Sequence, residues 1–177
     1  IKRGLEAART VPGRYDHVDA GQDFSVIVDY AHMPSALEKL FSMYRDLTPL
    51  GKLFVVFGAT GGGRDKGKRP DMGAIADKYA DYIVVTDDDP YSDDELEIID
   101  QVSSGIKRKE GDRFWKIVDR REALKLTLTL AKKGDTVVVA GKGAEEIMKV
   151  RGQTILWNDK KVIIELLRRK IPIGHIE

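Results

Sequence analysis

The sequence predicts a three-layer α/β domain built on a mainly parallel sheet, and three observations lead there. Short apolar runs rich in strand-favouring residues recur along the chain. The segments between them carry apolar residues at helical spacing, and no long Gly/Ser linker or internal repeat divides the 177 residues. Such runs suit strands buried on both faces, with amphipathic helices on the two sides supplying the cover. The length fits one domain with one substantial core.

In chain order, the first predicted strand covers residues 24–28, and a helix follows whose core face is Leu37, Leu40, Phe41 and Tyr44. Strands are expected next at Leu53–Phe57 and Tyr82–Val85. A second helical face runs through Ile98, Ile99, Val102 and Ile106, and Asp93, Asp94 and Glu95 before it suit the positive end of a helix dipole. A strand at 114–118, a helix through Leu124, Leu128 and Ala131, and a strand at Thr136–Ala140 come next. A strand at 153–157 and a terminal helix over 162–169 complete the pattern. Strand order is left open, and an antiparallel edge strand is compatible with the pattern.

Composition narrows the function classes. Lys and Arg total 30 against 29 for Asp and Glu, a net charge of +1, so bulk attraction argues for neither nucleic acid nor an anionic membrane, and any anion site must be local. The absence of cysteine removes disulfides, thiolate nucleophiles and cysteine-ligated zinc. No apolar stretch is long enough for a bilayer-spanning helix, so no membrane insertion is expected. The opening IKRGLEAARTVPGR, with neither an initiating Met nor the core of a secretion signal, reads as part of a domain excised from a longer protein. A cytoplasmic location then needs no further assumption.

Five segments carry chemistry. In VPGR, the Pro12 and Gly13 turn sets Arg14 outside the following strand, where its guanidinium suits phosphate or a structural pair. In VDYAH, Asp29 and His32 lie beyond the carboxyl end of the first strand, a ligand-prone edge in parallel sheets. Asp29 suits ribose hydroxyls or a strand end, and His32 a nucleotide contact or a structural hydrogen bond. GATGGGRDKGKRPDMG gathers Arg64, Lys66, Lys68 and Arg69 among glycines, either to receive carboxylate or phosphate or as a solvated loop. It lacks the Walker A ending and the GxGxxG spacing.

TDDDPYSDD concentrates Asp87, Asp88 and Asp89 beside Pro90, which favours substrate recognition over metal because a calcium cage needs more ligands. In VVVAGKGAEEIM, Gly141 and a following carboxylate suit a substrate amine, with a tight strand-to-helix transition as the alternative. Met33, Met43, Met72 and Met148 read as packing residues, Trp115 and Trp157 as buried aromatic surface, and His17 and His175 as structural or exposed.

Taken together and in order, VPGR, VDYAHMPSALE, VFGATGGGRDKGKRPDMG, VVTDDDPYSDD and VVVAGKGAEE resemble the C-terminal domain of Mur ligases, nearest the MurE-like UDP-N-acetylmuramoyl-tripeptide synthetases. The resemblance covers nearly all of the chain. It implies one Rossmann-like domain over 1–177, the last of three in an ATP-dependent amide ligase of peptidoglycan precursor synthesis. Such an enzyme adds L-lysine, meso-diaminopimelate or a related diamino acid to UDP-N-acetylmuramoyl-L-alanyl-D-glutamate through an acyl phosphate. The domain would close over a central ATPase domain and be inactive alone. ATP and Mg2+ are the implied cofactors, with the principal Mg2+ ligands outside this chain. The implied partners are the nucleotide-linked dipeptide, the amino acid and the central and N-terminal domains of the same protein.

By the same resemblance, Arg14 reaches ATP phosphate, Asp29 the ribose, and His32 stands at the nucleotide edge. Arg64 binds the carboxylate of the incoming amino acid, and Gly141 and Glu145 contact diaminopimelate. Two segments depart from the pattern. The usual DNPR is Asp88-Asp89-Pro90-Tyr91, and the usual GKGHE is Gly141-Lys142-Gly143-Ala144-Glu145. Tyr91 in place of Arg removes a clamp for the distal carboxylate of diaminopimelate, and Asp89 suits an ammonium, so L-lysine fits unless another arginine serves. Ala144 does not decide between them. The alternatives are a cyanophycin synthetase or folylpolyglutamate-type ligase domain, and a noncatalytic anion-binding α/β domain.

Overall fold

Five parallel strands and one antiparallel edge strand form the central sheet of the computed structural model, which describes residues 11–170. His175 lies outside the described residues. The parallel strands are β2 (Ser25–Asp29), β3 (Leu53–Phe57), β4 (Tyr82–Val85), β5 (Phe114–Lys116) and β6 (Thr136–Ala140). The antiparallel edge is β1 (Asp16–His17), and the spatial order is β1-β2-β6-β3-β4-β5.

Alternation along these strands divides the core between two faces. Ile27, Val55, Phe57, Ile83 and Val138 meet α1 (Pro34–Leu47), α2 (Lys68–Tyr79) and α3 (Glu95–Ser103). Val28, Val56, Val84, Val137 and Val139 meet α4 (Arg120–Leu130) and α5 (Asp159–Lys170). The expected three-layer α/β class is therefore present. Each large apolar side chain buried this way contributes about 1.5–3 kcal/mol before entropy is counted. Because β6 returns to sit between β2 and β3, the crossovers leaving β2 and β5 run in opposite directions and their helices fall on opposite faces. That reversal opens a crevice at the carboxyl ends of the strands.

Predicted strands at Leu53–Phe57, Tyr82–Val85 and Thr136–Ala140 form with those bounds; 24–28 moves one residue later, and 114–118 ends at Lys116. The acidic start of α3 is a cap, since Asp94 accepts the Glu97 amide at 2.8 Å. Two features differ from expectation. The helix α2 was not anticipated, because its buried face is Arg69, Met72, Gly73 and Ala76 rather than an apolar stripe. It packs by close approach, and a Cβ at Gly73 would strike the Val102 carbonyl of α3.

Residues 153–157 do not join the main sheet. Instead β7 (Ile147–Val150) and β8 (Gln153–Leu156) make a separate antiparallel hairpin, turned by Arg151 and Gly152 at positive φ. The GKG segment leads into this hairpin, not into a helix, and the terminal helix begins at Asp159 rather than 162. No helix among the described residues is long and apolar enough to cross a membrane.

Candidate functional site

One buried guanidinium organises the strand ends. Arg120, at the start of α4, donates from Nη1 to the Asp87 carbonyl at 2.9 Å and from Nη2 to the Ala140 carbonyl at 3.0 Å. Its Nε and Nη2 also pair with both oxygens of Asp159, at 2.9 and 2.7 Å, and the Trp157 indole donates to the same carboxylate. Burial opposes the charge on Arg120, and the Asp159 carboxylate more than offsets it, so its pKa is raised. The carbonyl of Asp87, just past β4, and that of Ala140, the last residue of β6, thus both find a donor.

Above this bolt, the loops after β2, β3, β4 and β6 enclose a cavity of about 410 Å3. Six predicted site residues line it: His32, Arg64, Asp89, Tyr91, Gly141 and Glu145. Tyr30, Thr60, Lys68 and Asp88 join them.

The acidic wall is built around a buried lysine. Lys142 is fully buried, and its Nζ pairs with Asp89 Oδ2 at 2.9 Å and Glu145 Oε2 at 2.5 Å. Burial disfavours its charge, but those two carboxylates and the nearby Asp88 prevail and raise its pKa. The other Asp89 oxygen accepts the Lys149 amide at 2.8 Å, so that carboxylate is committed inside the protein rather than free for a substrate ammonium. Asp88 differs. It is buried, its Oδ2 has no hydrogen-bond partner, and a Cβ at Gly141 (φ +112°) would strike that oxygen. Burial pushes its carboxyl up to about 6, against the pull of Arg120 and Lys142.

Tyr91, at φ +58°, exchanges backbone hydrogen bonds with the hairpin, donating to Lys149 and accepting from Gly152, while its ring covers Gly62. The loop after β4 is therefore stitched to a hairpin far along the chain.

The basic wall holds two of the four cations expected there. Arg64 is exposed at the cavity, and its guanidinium makes no hydrogen bond or ion pair with any other described residue. Lys68 donates to the His32 carbonyl at 3.1 Å, and burial lowers its pKa. Arg69 instead belongs to the core, donating to Gln101 and to the Thr60 carbonyl, and Lys66 pairs with Glu97 on the surface.

The predicted nucleotide residues are split. His32 lines the cavity, with Nδ1 placed to donate to the Tyr30 carbonyl at 2.9 Å. Arg14 stands beside it, 5.0 Å over the Tyr30 ring. Asp29 lies beneath, only 4% exposed, with one oxygen accepting the Tyr15 amide and the other the Ala31 amide, both at 2.8 Å. It ties the VPGR turn to the loop after β2. Gly13 in that turn meets the last loop directly, since a Cβ there would strike the Ala144 amide. Among the described residues, no group of three or more His, Asp or Glu side chains is arranged to hold a metal ion. What remains is a bipolar cavity, with Arg64 and Lys68 facing an acidic wall, a charge pattern that suits a zwitterion such as an amino acid.

The family of the Mur ligase, glutamate ligase domain matches residues 13–143. The chain belongs to that family. This Mur ligase domain is 48% identical over 171 residues to the UDP-N-acetylmuramoyl-L-alanyl-D-glutamate–2,6-diaminopimelate ligase of Syntrophomonas wolfei, covering 97% of the chain and 35% of that relative. It is 46% identical over 170 residues to the ligase of the same name from Bacillus licheniformis, covering 94% and 34%. A solved structure of a UDP-N-acetylmuramoyl-L-alanyl-D-glutamate–2,6-diaminopimelate ligase superposes with a TM-score of 0.81 at 34% identity, over 90% of this chain and 32% of that one. The chain thus spans about a third of the length of the relatives it matches.

The geometry of Asp88 yields a pH test. Its folded pKa lies above the unfolded value of 3.8, so the folded state holds the extra proton and loses stability as pH rises from about 4 through about 6. Asp88→Asn is therefore expected to stabilise the chain at pH 8 by about 1–3 kcal/mol and to lose that gain by pH 4. Thermal unfolding across that range measures it, and an equal effect at both ends contradicts the assignment.

Proposed function

We propose that this domain is the closing, amino-acid-binding domain of a longer ATP-dependent ligase that adds a diamino acid to UDP-N-acetylmuramoyl-L-alanyl-D-glutamate. The observation that carries the reading is the bipolar cavity at the strand ends of a Mur ligase domain, with Arg64 unpaired on one wall and the carboxylates around Lys142 on the other. The relatives, which are UDP-N-acetylmuramoyl-L-alanyl-D-glutamate–2,6-diaminopimelate ligases, support the reaction.

In this account Arg64 receives the α-carboxylate of the incoming amino acid, and Glu145 faces its ammonium groups, with the buried Asp88 behind it adding to the negative potential of that wall. Gly141 lets the substrate come close to the backbone. The free amine then attacks the acyl phosphate carbonyl of the dipeptide, phosphate leaves, and an amide bond forms. Holding the amine in line lowers the orientational cost of that step.

Arg14 serves phosphate when the domain closes, and His32 borders the nucleotide. Asp29 fixes their two segments together, and its remaining lone pairs are the ones a ribose would use. ATP and Mg2+ belong to this reading as requirements of the whole protein, with the metal held by the central domain, and the reaction is placed in the cytoplasm. The isolated domain is expected to be inactive because it supplies recognition without the phosphoryl-transfer machinery.

The substrate class is a diamino acid. Diaminopimelate is favoured by the relatives' names, and Lys68 supplies a second cation for its distal carboxylate. L-lysine is favoured by Tyr91, which brings no charge to the loop after β4.

Ligation by the full-length protein, assayed with ATP, the nucleotide-linked dipeptide and either amino acid, tests the function; absence of product with both overturns it. In that assay Arg64→Ala is expected to raise the KM for the amino acid by about tenfold or more, with little change in the KM for ATP, since a charge-assisted pair is lost. An unchanged amino-acid KM removes Arg64 from the site. Tyr91→Arg should increase the kcat/KM ratio of diaminopimelate over lysine by about tenfold. A ratio that stays constant contradicts the proposed place of the distal group beside residue 91.

A further inference from the structure

A second cleft, also of about 410 Å3, opens behind the substrate cavity, between the end of β4, the start of α4 and the β7–β8 hairpin. Its body is apolar, formed by Val118, Met148, Val150, Ile155 and Trp157. At its base lies Asp87, only 6% exposed. The backbone of Asp87 is paired, with its amide donating to Val118 and its carbonyl accepting from Arg120. Its carboxylate makes no hydrogen bond with any other described residue. Unlike Asp88 Oδ2, its oxygens are not sealed off, and they open onto the cleft. A buried carboxyl left without a donor is a standing cost to the fold and calls for a partner.

The charges around it indicate which partner. Arg151 is held by both oxygens of Glu95 at 2.9 and 2.8 Å, Arg120 by Asp159, and Arg121 by Glu165. With those pairs matched, the carboxylates of Asp87 and Asp119 remain, so the cleft carries excess negative charge. Asp119 caps α4 by accepting the Glu122 amide, which leaves Asp87 as the acceptor facing the apolar body.

We propose that this cleft binds a small organic ammonium, an alkyl or aryl amine whose N–H groups donate to Asp87 and whose apolar body lies against Trp157 and Met148. The site is separate from the substrate cavity. Asp87 and Asp88 are consecutive residues at the same strand end, Asp87 lining this cleft and Asp88 the substrate cavity. Burial, then Glu95, hold the Asp87 carboxyl up at about 7 against Arg120 and Arg151, with Asp119 adding to the rise. Affinity for an ammonium therefore increases as pH rises through about 7, where Asp87 ionises.

The test titrates 2-phenylethylammonium, 2-phenylethanol and 3-phenylpropionate separately into the chain while the Trp157 indole and Met148 methyl NMR signals are followed. The expected result is a saturable shift with the ammonium, binding about tenfold tighter than the alcohol, and none with the carboxylate. Asp87→Asn, which preserves shape, should lose that tenfold advantage and its pH dependence. Ile155→Trp, on the partly exposed side of the cleft, should block binding without altering the carboxylate. Equal binding of ammonium and alcohol overturns the proposal, as does undiminished binding by Asp87→Asn. Shifts confined to Tyr91 and Glu145, or no saturable shift at millimolar ammonium, overturn it as well. Ligation activity enters none of these readouts, so the result stands apart from the proposed function.

Discussion

The Arg120 guanidinium is the constraint on which the functional end of the domain depends. It sits where the sheet ladder stops and takes up the carbonyls of Asp87 and Ala140, one residue before each of the two loops that carry the acidic wall. Its counter-ion, Asp159, is the first residue of α5, so the terminal helix is anchored to the strand ends by the same group. A buried ion pair adds little net stability compared with well-packed apolar residues, whereas losing one partner costs about 3–5 kcal/mol. Its contribution here is positional. Two loops from distant parts of the chain are fixed relative to each other by one rigid planar group.

From that fixed base the chemistry of the cavity follows. Asp88 and Gly141 are brought into contact, which explains why residue 141 lacks a side chain and why the Asp88 carboxyl is held out of water. Lys142 lies beneath and joins Asp89 to Glu145, so the wall keeps net negative charge while two of its carboxylates are held in place. On the opposite wall Arg64 projects from a glycine-rich loop with no side-chain partner among the described residues. A guanidinium facing a surplus of carboxylate has the charge pattern that the proposed zwitterionic substrate calls for.

Much of the sheet was legible because its strands are continuous apolar runs, and a run buried on both faces leaves the plainest mark in a sequence. The helix α2 left no such mark, since it packs through Gly73 and the buried Arg69, and both read as features of a basic loop. The hairpin was half seen for a similar reason. Residues 153–156 include the strand-favouring Thr154 and Ile155, but their partner strand begins inside a segment whose glycines and glutamates pointed elsewhere. In the site, residue types at strand ends identified six lining residues, because chemistry concentrates where parallel strands end. Asp29, expected at the nucleotide edge, also clamps the Tyr15 and Ala31 amides, a tie between two loops that its place at a strand end does not announce. Arg120 and Lys142 went unrecognised in these roles, since burial of a charge is decided by tertiary partners far away in sequence.

Native-state amide exchange in an Arg120→Lys variant tests this account most directly, because lysine keeps the charge but cannot span two carbonyls and a carboxylate together. The amides of Gly141, Tyr91 and Lys149, which report the two loops and their link to the hairpin, are predicted to exchange about tenfold or more faster. Those of Val55 and Val138 in the middle of the sheet are predicted to keep their protection. Equal acceleration at all five positions, or no change at the first three, would contradict the claim that Arg120 holds the site in place.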